Sequence, residues 1–334
     1  MTDTIRIEHL QQWIGKSQTA TDTVTAAPAT ALHATLDHPE QTIQLGHLIS
    51  ELWHWLYFLP TDRQSNIDAS GHAKLGGFMP PVPLPRRMWA GSQLDFHHAI
   101  RVGDIIERTS TIDNVTQKTG KSGELVFVRV KHQIDLVEQP NQLLQVMPSS
   151  QSNEPTHTGI TLLDPQRLKA ITEYHDIVYR APALTNAPLP VSTKAPQSAD
   201  WERKIETNDV LLFRYSALTF NGHRIHYDRR YVTDVEGYPG LIVHGPLIAT
   251  LLLDALKQEL QEITVIHYEF KAIKPIFDTH PFYVCGAIST DETTIASSPS
   301  NASTVHLWAK DFLGDVAMQA TAIVGTKTSD RNKS

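Results

Sequence analysis

The chain has 334 residues, 40% hydrophobic and 19% charged, with a net charge of -7. That is the composition of a soluble globular protein with room for two domains of ordinary size, and an acidic balance argues against nucleic acid as the main partner. The single cysteine, Cys285, excludes an intrachain disulfide, and its apolar setting in FYVCGAI reads as a small core residue in a reduced, cytoplasmic compartment.

In chain order, the opening MTDTIRIEHLQQWIG lacks an apolar block of signal-peptide length. No apolar run is long enough to span a bilayer, so no membrane partner is expected. TAAPATALHATLD and IQLGHLISELWHWLYFL are helical candidates, and Trp53 and Trp55 read as core residues. PLPRRMWAGSQLDFHHAIRVGD follows, with His97 and His98 expected on a strand, one side chain in and one out. The runs IIERTSTIDNV, ELVFVRVKHQIDLV and LLQVM are strand-like, being rich in β-branched and aromatic residues between turn residues. Two stretches, 148–160 and 181–200, are polar or rich in Pro, Ala and Ser, and the tail from Lys327 is polar and charged. These give an N-terminal domain over 1–150, a linker over 151–194 and a C-terminal domain over 195–330.

The second domain repeats the pattern of the first. Leu94, Phe96, Ala99, Val102 and Asp104 match Tyr268, Phe270, Ile273, Ile276 and Asp278 at one constant offset. Strand-like PFYVCGAI, STVHLWAKDF and VAMQATAIV then follow, which favours a duplication. Ahead of them, PLIATLLLDALKQELQ has Pro at its start and leucines at helical spacing, as a buried helix requires. A buried helix followed by about four antiparallel strands predicts an α+β fold, a sheet around a helix. No glycine-rich phosphate motif opens a helix.

Chemistry concentrates in FRYSALTFNGHRIHYDRRYV and in the turn His244-Gly245-Pro246. Pro suits the first turn of a helix. The Gly245 amide would then sit at the positive helix end, ready for a developing oxyanion.

This stretch resembles the MaoC-like hydratases, also called type 2 enoyl-CoA hydratases. Tyr215 stands at their aromatic position, Asn221 at that of the catalytic aspartate, and His223 and Arg224 at Asn-Pro. His226 stands at the catalytic histidine, and Gly245 at the glycine that binds the thioester oxygen. WIGKSQTATDTVTAAPATALHATLD and PLPRRMWAGSQLDFHHAIRVGD resemble the N-terminal half of two-hotdog members. That subgroup includes 3-hydroxyacyl-thioester dehydratases, mesaconyl-C4-CoA hydratases and itaconyl-CoA hydratases. The resemblance implies a double hotdog, each half a curved antiparallel sheet around a central helix. It also implies reversible hydration of a 2-enoyl-CoA, with CoA as part of the substrate and neither metal nor cofactor.

Asparagine cannot transfer a proton at neutral pH, so a one-histidine mechanism is expected, with Asn221 holding water. Asp228 is the competing second acid-base group, because on a strand it would share the face of His226. His244 reads as structural. Arg224, Arg229 and Arg230 are candidates for a substrate carboxylate, and Arg86 and Arg87 for CoA phosphates. The first half lacks an [DN]xxxxH match, so it is expected to shape the acyl pocket. A hotdog thioesterase and a non-catalytic acyl-CoA-binding protein are the alternatives. The acyl group, CoA against acyl carrier protein, and a homodimer are left open by the sequence.

Overall fold

Among the described residues, alternating β-branched and polar residues build ten strands, and antiparallel pairing joins them into one sheet. The computed structural model describes residues 5–120, 123–137, 166–181, 192–289 and 302–326. The expected strand LLQVM, the stretch 148–160 and the tail from Lys327 lie outside these residues.

In the N-terminal half, α1 (Ile7–Leu10), β1 (Ser17–Thr23) and α2 (Ala26–Thr35) precede β2 (Arg86–Phe96), β3 (Ile105–Gly120), β4 (Gly123–Val137) and β5 (Arg167–Arg180). In the C-terminal half, β6 (Trp201–Ile205), α3 (Asp209–Leu218) and α4 (Gly245–Glu259) precede β7 (Ile263–Ala272), β8 (Phe282–Ile288), β9 (Ala302–Lys310) and β10 (Val316–Thr326). The sheet order is β1-β3-β4-β5-β2-β7-β10-β9-β8-β6. Read outward from the β2–β7 join, both halves have the same order, as the duplicated sequence pattern requires. Leu94 and Tyr268, one of the five matched pairs, face each other across that join. This is the double hotdog arrangement that was expected.

Three expectations change. First, β5 lies inside 151–194, so that stretch is not a linker throughout. RLKAITEYHDIVYR pairs with both β4 and β2 and completes the first half-sheet. Second, among the described residues the N-terminal half has no long central helix. IQLGHLISELWHWLYFL forms only a 3-10 turn at Trp53–Leu56, entered through Leu52 in the left-handed region at φ 69°. Third, His97 and His98 follow the end of β2 and are both exposed, bonded to the Thr172 hydroxyl and the Lys169 carbonyl.

The C-terminal half does have its helix. Nine of the fifteen residues of α4 are buried, and it packs on β7, β8, β9 and β10. Each buried leucine there contributes roughly 2 kcal/mol of transfer free energy. One core runs through both halves, from Leu32 and Leu56 to Leu252 and Val305. Cys285 is buried within β8, and burial raises its thiol to about 12. Among the described residues no helix is long and apolar enough to cross a membrane.

Candidate functional site

The motif stretch folds as helix, turn and 3-10 turn. Asn208 caps α3 by accepting from Leu211 N at 2.9 Å, which sets Tyr215 and Ser216 on its last turns. The chain then reverses through Phe220, at φ 48°, and Asn221 Oδ1 closes a local turn by accepting from His223 N at 3.0 Å. Arg224–His226 form the 3-10 turn.

His226 is 8% exposed, and its Nδ1 lies 2.7 Å from the Ile242 carbonyl. A carbonyl only accepts, so Nδ1 carries the proton and Nε2 keeps its lone pair for chemistry. Burial lowers His226 to about 4, which leaves the ring neutral at pH 7. His244 stacks on it at 3.8 Å and 18° and is tied by Nε2 to the Ser216 hydroxyl at 2.8 Å. His244 is fully buried, and burial and His226 hold it well below the usual histidine range. Those contacts fit a structural part for His244. Tyr215 is buried edge-on to His244, with its ring 5.0 Å away, and desolvation raises its phenol far above the ordinary value. Gly245 opens α4, so its N–H is one of the helix's unsatisfied first-turn donors.

A cavity of about 940 Å³ adjoins this region. Tyr215, Ser216, Asn221, Arg224 and Pro246 line it, so the motif turn and the start of α4 form one wall. Exposed Phe213, Phe220 and Tyr227 line it too, which opens it to solvent beside the motif. His223 and His226 are not lining residues; they sit within the wall that their neighbours form.

The other candidates divide sharply. Arg224 is bound to Asp228 through Nε and an Nη, and lies over the Tyr231 ring. Asp228 also accepts from Tyr231 N, and that bond and Arg224 hold it below the usual carboxylate range. It therefore caps a turn and is not placed as a second acid-base group. The strand that would have put it beside His226 is a 3-10 turn instead. Arg229 pairs with Asp209 and Asp278, and Arg230 with Asp234. Arg86 is held by Glu236 and stacks on Tyr238. Arg87 lines the cavity.

Two groups of residues escaped the sequence reading. A loop of the N-terminal half clamps the motif turn. Arg224 N donates to the Ser70 carbonyl at 2.9 Å, and His72 packs on His223 at 4.0 Å. Gly71 has φ 95°, and a Cβ there would meet the Gly222 carbonyl at 1.8 Å, so only glycine fits. The second group fills the far wall. Glu173, 2% exposed, accepts from His54 Nε2 at 3.0 Å, from Trp55 Nε1 at 3.0 Å and from His175 Nε2. His132 packs on His175 and bonds Ser110, and Trp89 packs on His175 at 4.0 Å. Trp55 is thus a donor at a cavity wall, not simply a core residue. The flanking histidines hold the Glu173 carboxyl well below its ordinary value, so this buried group is an anion. An alternating run such as ITEYHDIVYR was the signal for the strand that carries it.

Comparison with known proteins bears on this geometry. Residues 52–278 match the family described as Hydroxyacyl-thioester dehydratase type 2. The chain is 39% identical over 293 residues to the mesaconyl-C(4)-CoA hydratase of Chloroflexus aurantiacus, covering 87% of this chain and 94% of that one. It is 24% identical over 273 residues to the mitochondrial hydroxyacyl-thioester dehydratase type 2 of Schizosaccharomyces pombe, covering 79% and 88%. A solved MaoC-like dehydratase shares the fold with a TM-score of 0.62 at 12% identity, over 94% of this chain and 98% of that one. Another, from Phytophthora capsici, does so with a TM-score of 0.58 at 10% identity, over 98% and 100%.

Proposed function

The chain belongs to the hydroxyacyl-thioester dehydratase type 2 family and is a hydro-lyase of acyl thioesters, and from that premise we propose a C5 dicarboxylyl-CoA of the mesaconyl or itaconyl type as substrate, with His226 as acid-base residue. The observation that carries the assignment of His226 is its Nδ1 fixed on the Ile242 carbonyl, with a neutral ring beside the first turn of α4.

In this reading His226 Nε2 takes a proton from water as the water oxygen bonds to the β-carbon. The π electrons move onto the thioester oxygen, where the Gly245 N–H receives the charge, a contact type worth about 3–4 kcal/mol. The imidazolium then returns its proton to the α-carbon on the same face, and the thioester carbonyl re-forms. Asn221 donates its amide N–H to the water. The N-terminal half shapes the acyl pocket. The substrate class is supported by the 39% identity to a mesaconyl-C(4)-CoA hydratase. The reading includes a cytoplasmic setting and a homodimer, which light scattering of the purified chain checks.

The test is loss of the enoyl-thioester absorbance band over a panel of crotonyl-, mesaconyl- and itaconyl-CoA. Hydration of the dicarboxylyl esters is expected. Free thiol release without hydration would make the chain a thioesterase, and binding without turnover a non-catalytic acyl-CoA-binding protein.

A further inference from the structure

We propose that Arg87 is the specificity-determining cation that binds the free carboxylate of the acyl group, an inference that rests on the dicarboxylyl reading above. A guanidinium suits this task because its planar fork matches a carboxylate and it stays charged when partly desolvated.

The arginines of the motif side are committed elsewhere. Arg86 is held by Glu236, Arg224 by Asp228, and Arg229 by Asp209 and Asp278. Arg108, the other cavity-lining arginine without an ion pair among the described residues, sits at the far wall, where it donates to the Phe58 carbonyl and lies over the Phe58 ring. Arg87 forms no ion pair within 4.0 Å among the described residues, although it is half-buried and lines the cavity. Asp68 on this wall feels the Arg87 charge but lies beyond ion-pair distance of it, and its Oδ1 accepts from Ser70 N, the Ser70 hydroxyl and His72 N.

Arg87 also lies on the reacting side of the cavity. It lines the cavity together with His72, Asn221 and Arg224. Burial, with the Arg87 charge as a smaller contribution, lowers the proton affinity of His72 and His223, and the His223 ring is 5.5 Å from that of His226. In a C5 enoyl dicarboxylate the second carboxylate is only a few bonds from the thioester carbonyl. A cation that reads it must therefore sit beside the proton-transferring histidine, whereas CoA phosphates lie a full pantetheine arm away. At Arg87 the strand is paired with β5, where Arg87 faces Tyr179, and the pairing of β2 with β7 begins further along, at Gly91.

Binding of saturated, unreactive thioesters isolates this contact from turnover. Succinyl- and butyryl-thioesters, each as CoA and as pantetheine esters, are titrated against the wild-type chain, Arg87→Gln and Arg87→Lys by calorimetry, with circular dichroism to establish folding. The wild type should prefer succinyl over butyryl by about 10-fold or more, the range of a charge-assisted hydrogen bond. Arg87→Gln should abolish that preference on both carriers, and Arg87→Lys should keep part of it. A wild type without the preference, or a preference that survives in folded Arg87→Gln, overturns the proposal. So does a loss of affinity equal for both acyl groups and confined to the CoA esters, which would assign Arg87 to a phosphate. Failure of the hydration reading shows instead as absent turnover in wild type, with the succinyl preference intact.

Discussion

The two halves share one strand order and differ in what lies on their inner faces. One row of paired residues crosses the whole sheet and makes the contrast direct. On the C-terminal side it runs Tyr268, Ala322, Val305, all fully buried, and the Tyr268 hydroxyl donates to the Ala249 carbonyl of α4. On the N-terminal side the same row runs Leu94, Glu173, His132, Ser110. The apolar row is covered by an apolar helix. Among the described residues the polar row meets the turn at Trp53–Leu56 in place of a helix, and there the cavity opens. A sheet face accepts a buried carboxylate and histidines when their partners are supplied locally, as His54, Trp55 and His175 do for Glu173.

Four experiments break or sharpen this division of labour. The largest effect is expected at His226. His226→Ala should lower hydration about 100- to 10,000-fold, the contribution of a positioned general base, and turnover above a few per cent would remove the histidine from the mechanism. Next comes Gly245→Pro. His244 has ψ 131°, the extended backbone that tolerates a following proline, but residue 245 is helical and itself precedes Pro246, so circular dichroism first establishes that the variant is folded. Without the N–H, kcat should fall about 100- to 1,000-fold. Gly245→Ala keeps the N–H and has space, with Met318 Cε 3.9 Å from the added carbon, so it should stay far more active.

A stability effect tests the N-terminal wall. Glu173→Gln removes a buried anion that three donors share, and should cost about 2–3 kcal/mol in urea unfolding. A cost within error of zero would mean that the polar row is incidental.

The smallest effect is in pH. The base form of His226 is the deprotonated one, and burial holds its folded value at about 4. Hydration should therefore stay nearly level from pH 7.5 down to about 5.5 and fall only as the proton occupies Nε2 near that value. An acid limb near the ordinary histidine value of about 6.5 would place the base elsewhere. Stability behaves differently. His132, His223 and His244 are lowered in the same direction, and His72 to about 3. Between about 6.5 and the folded values the unfolded chain binds more protons, so stability is full above that window and is lost as pH falls through it. The urea midpoint should be lower at pH 5 than at pH 7.

The C-terminal site was legible because its parts are adjacent in sequence. Tyr215, Asn221, His226 and Gly245 lie within one short stretch, and a helix start with Pro246 announces itself locally. The far wall was not legible. His54, Arg108, His132 and Glu173 belong to a turn and three different strands, and each alone reads as an ordinary half-buried residue. The N-terminal loop with Gly71 and His72 was equally silent, because its reason for being glycine is the Gly222 carbonyl of the other half.

By itself, the sequence determined the repeated pattern of the two halves, the buried helix α4 and the histidine beside its start. These depend on periodicity and on neighbours along the chain, which local propensity records. Only tertiary structure decided that β5 joins the first half-sheet, that the described residues of the first half hold no long central helix, and that Arg87 has no ion pair among the described residues while Arg86, Arg224 and Arg229 do. Those outcomes depend on which distant residues strand pairing brings together, and no single stretch of chain carries that information.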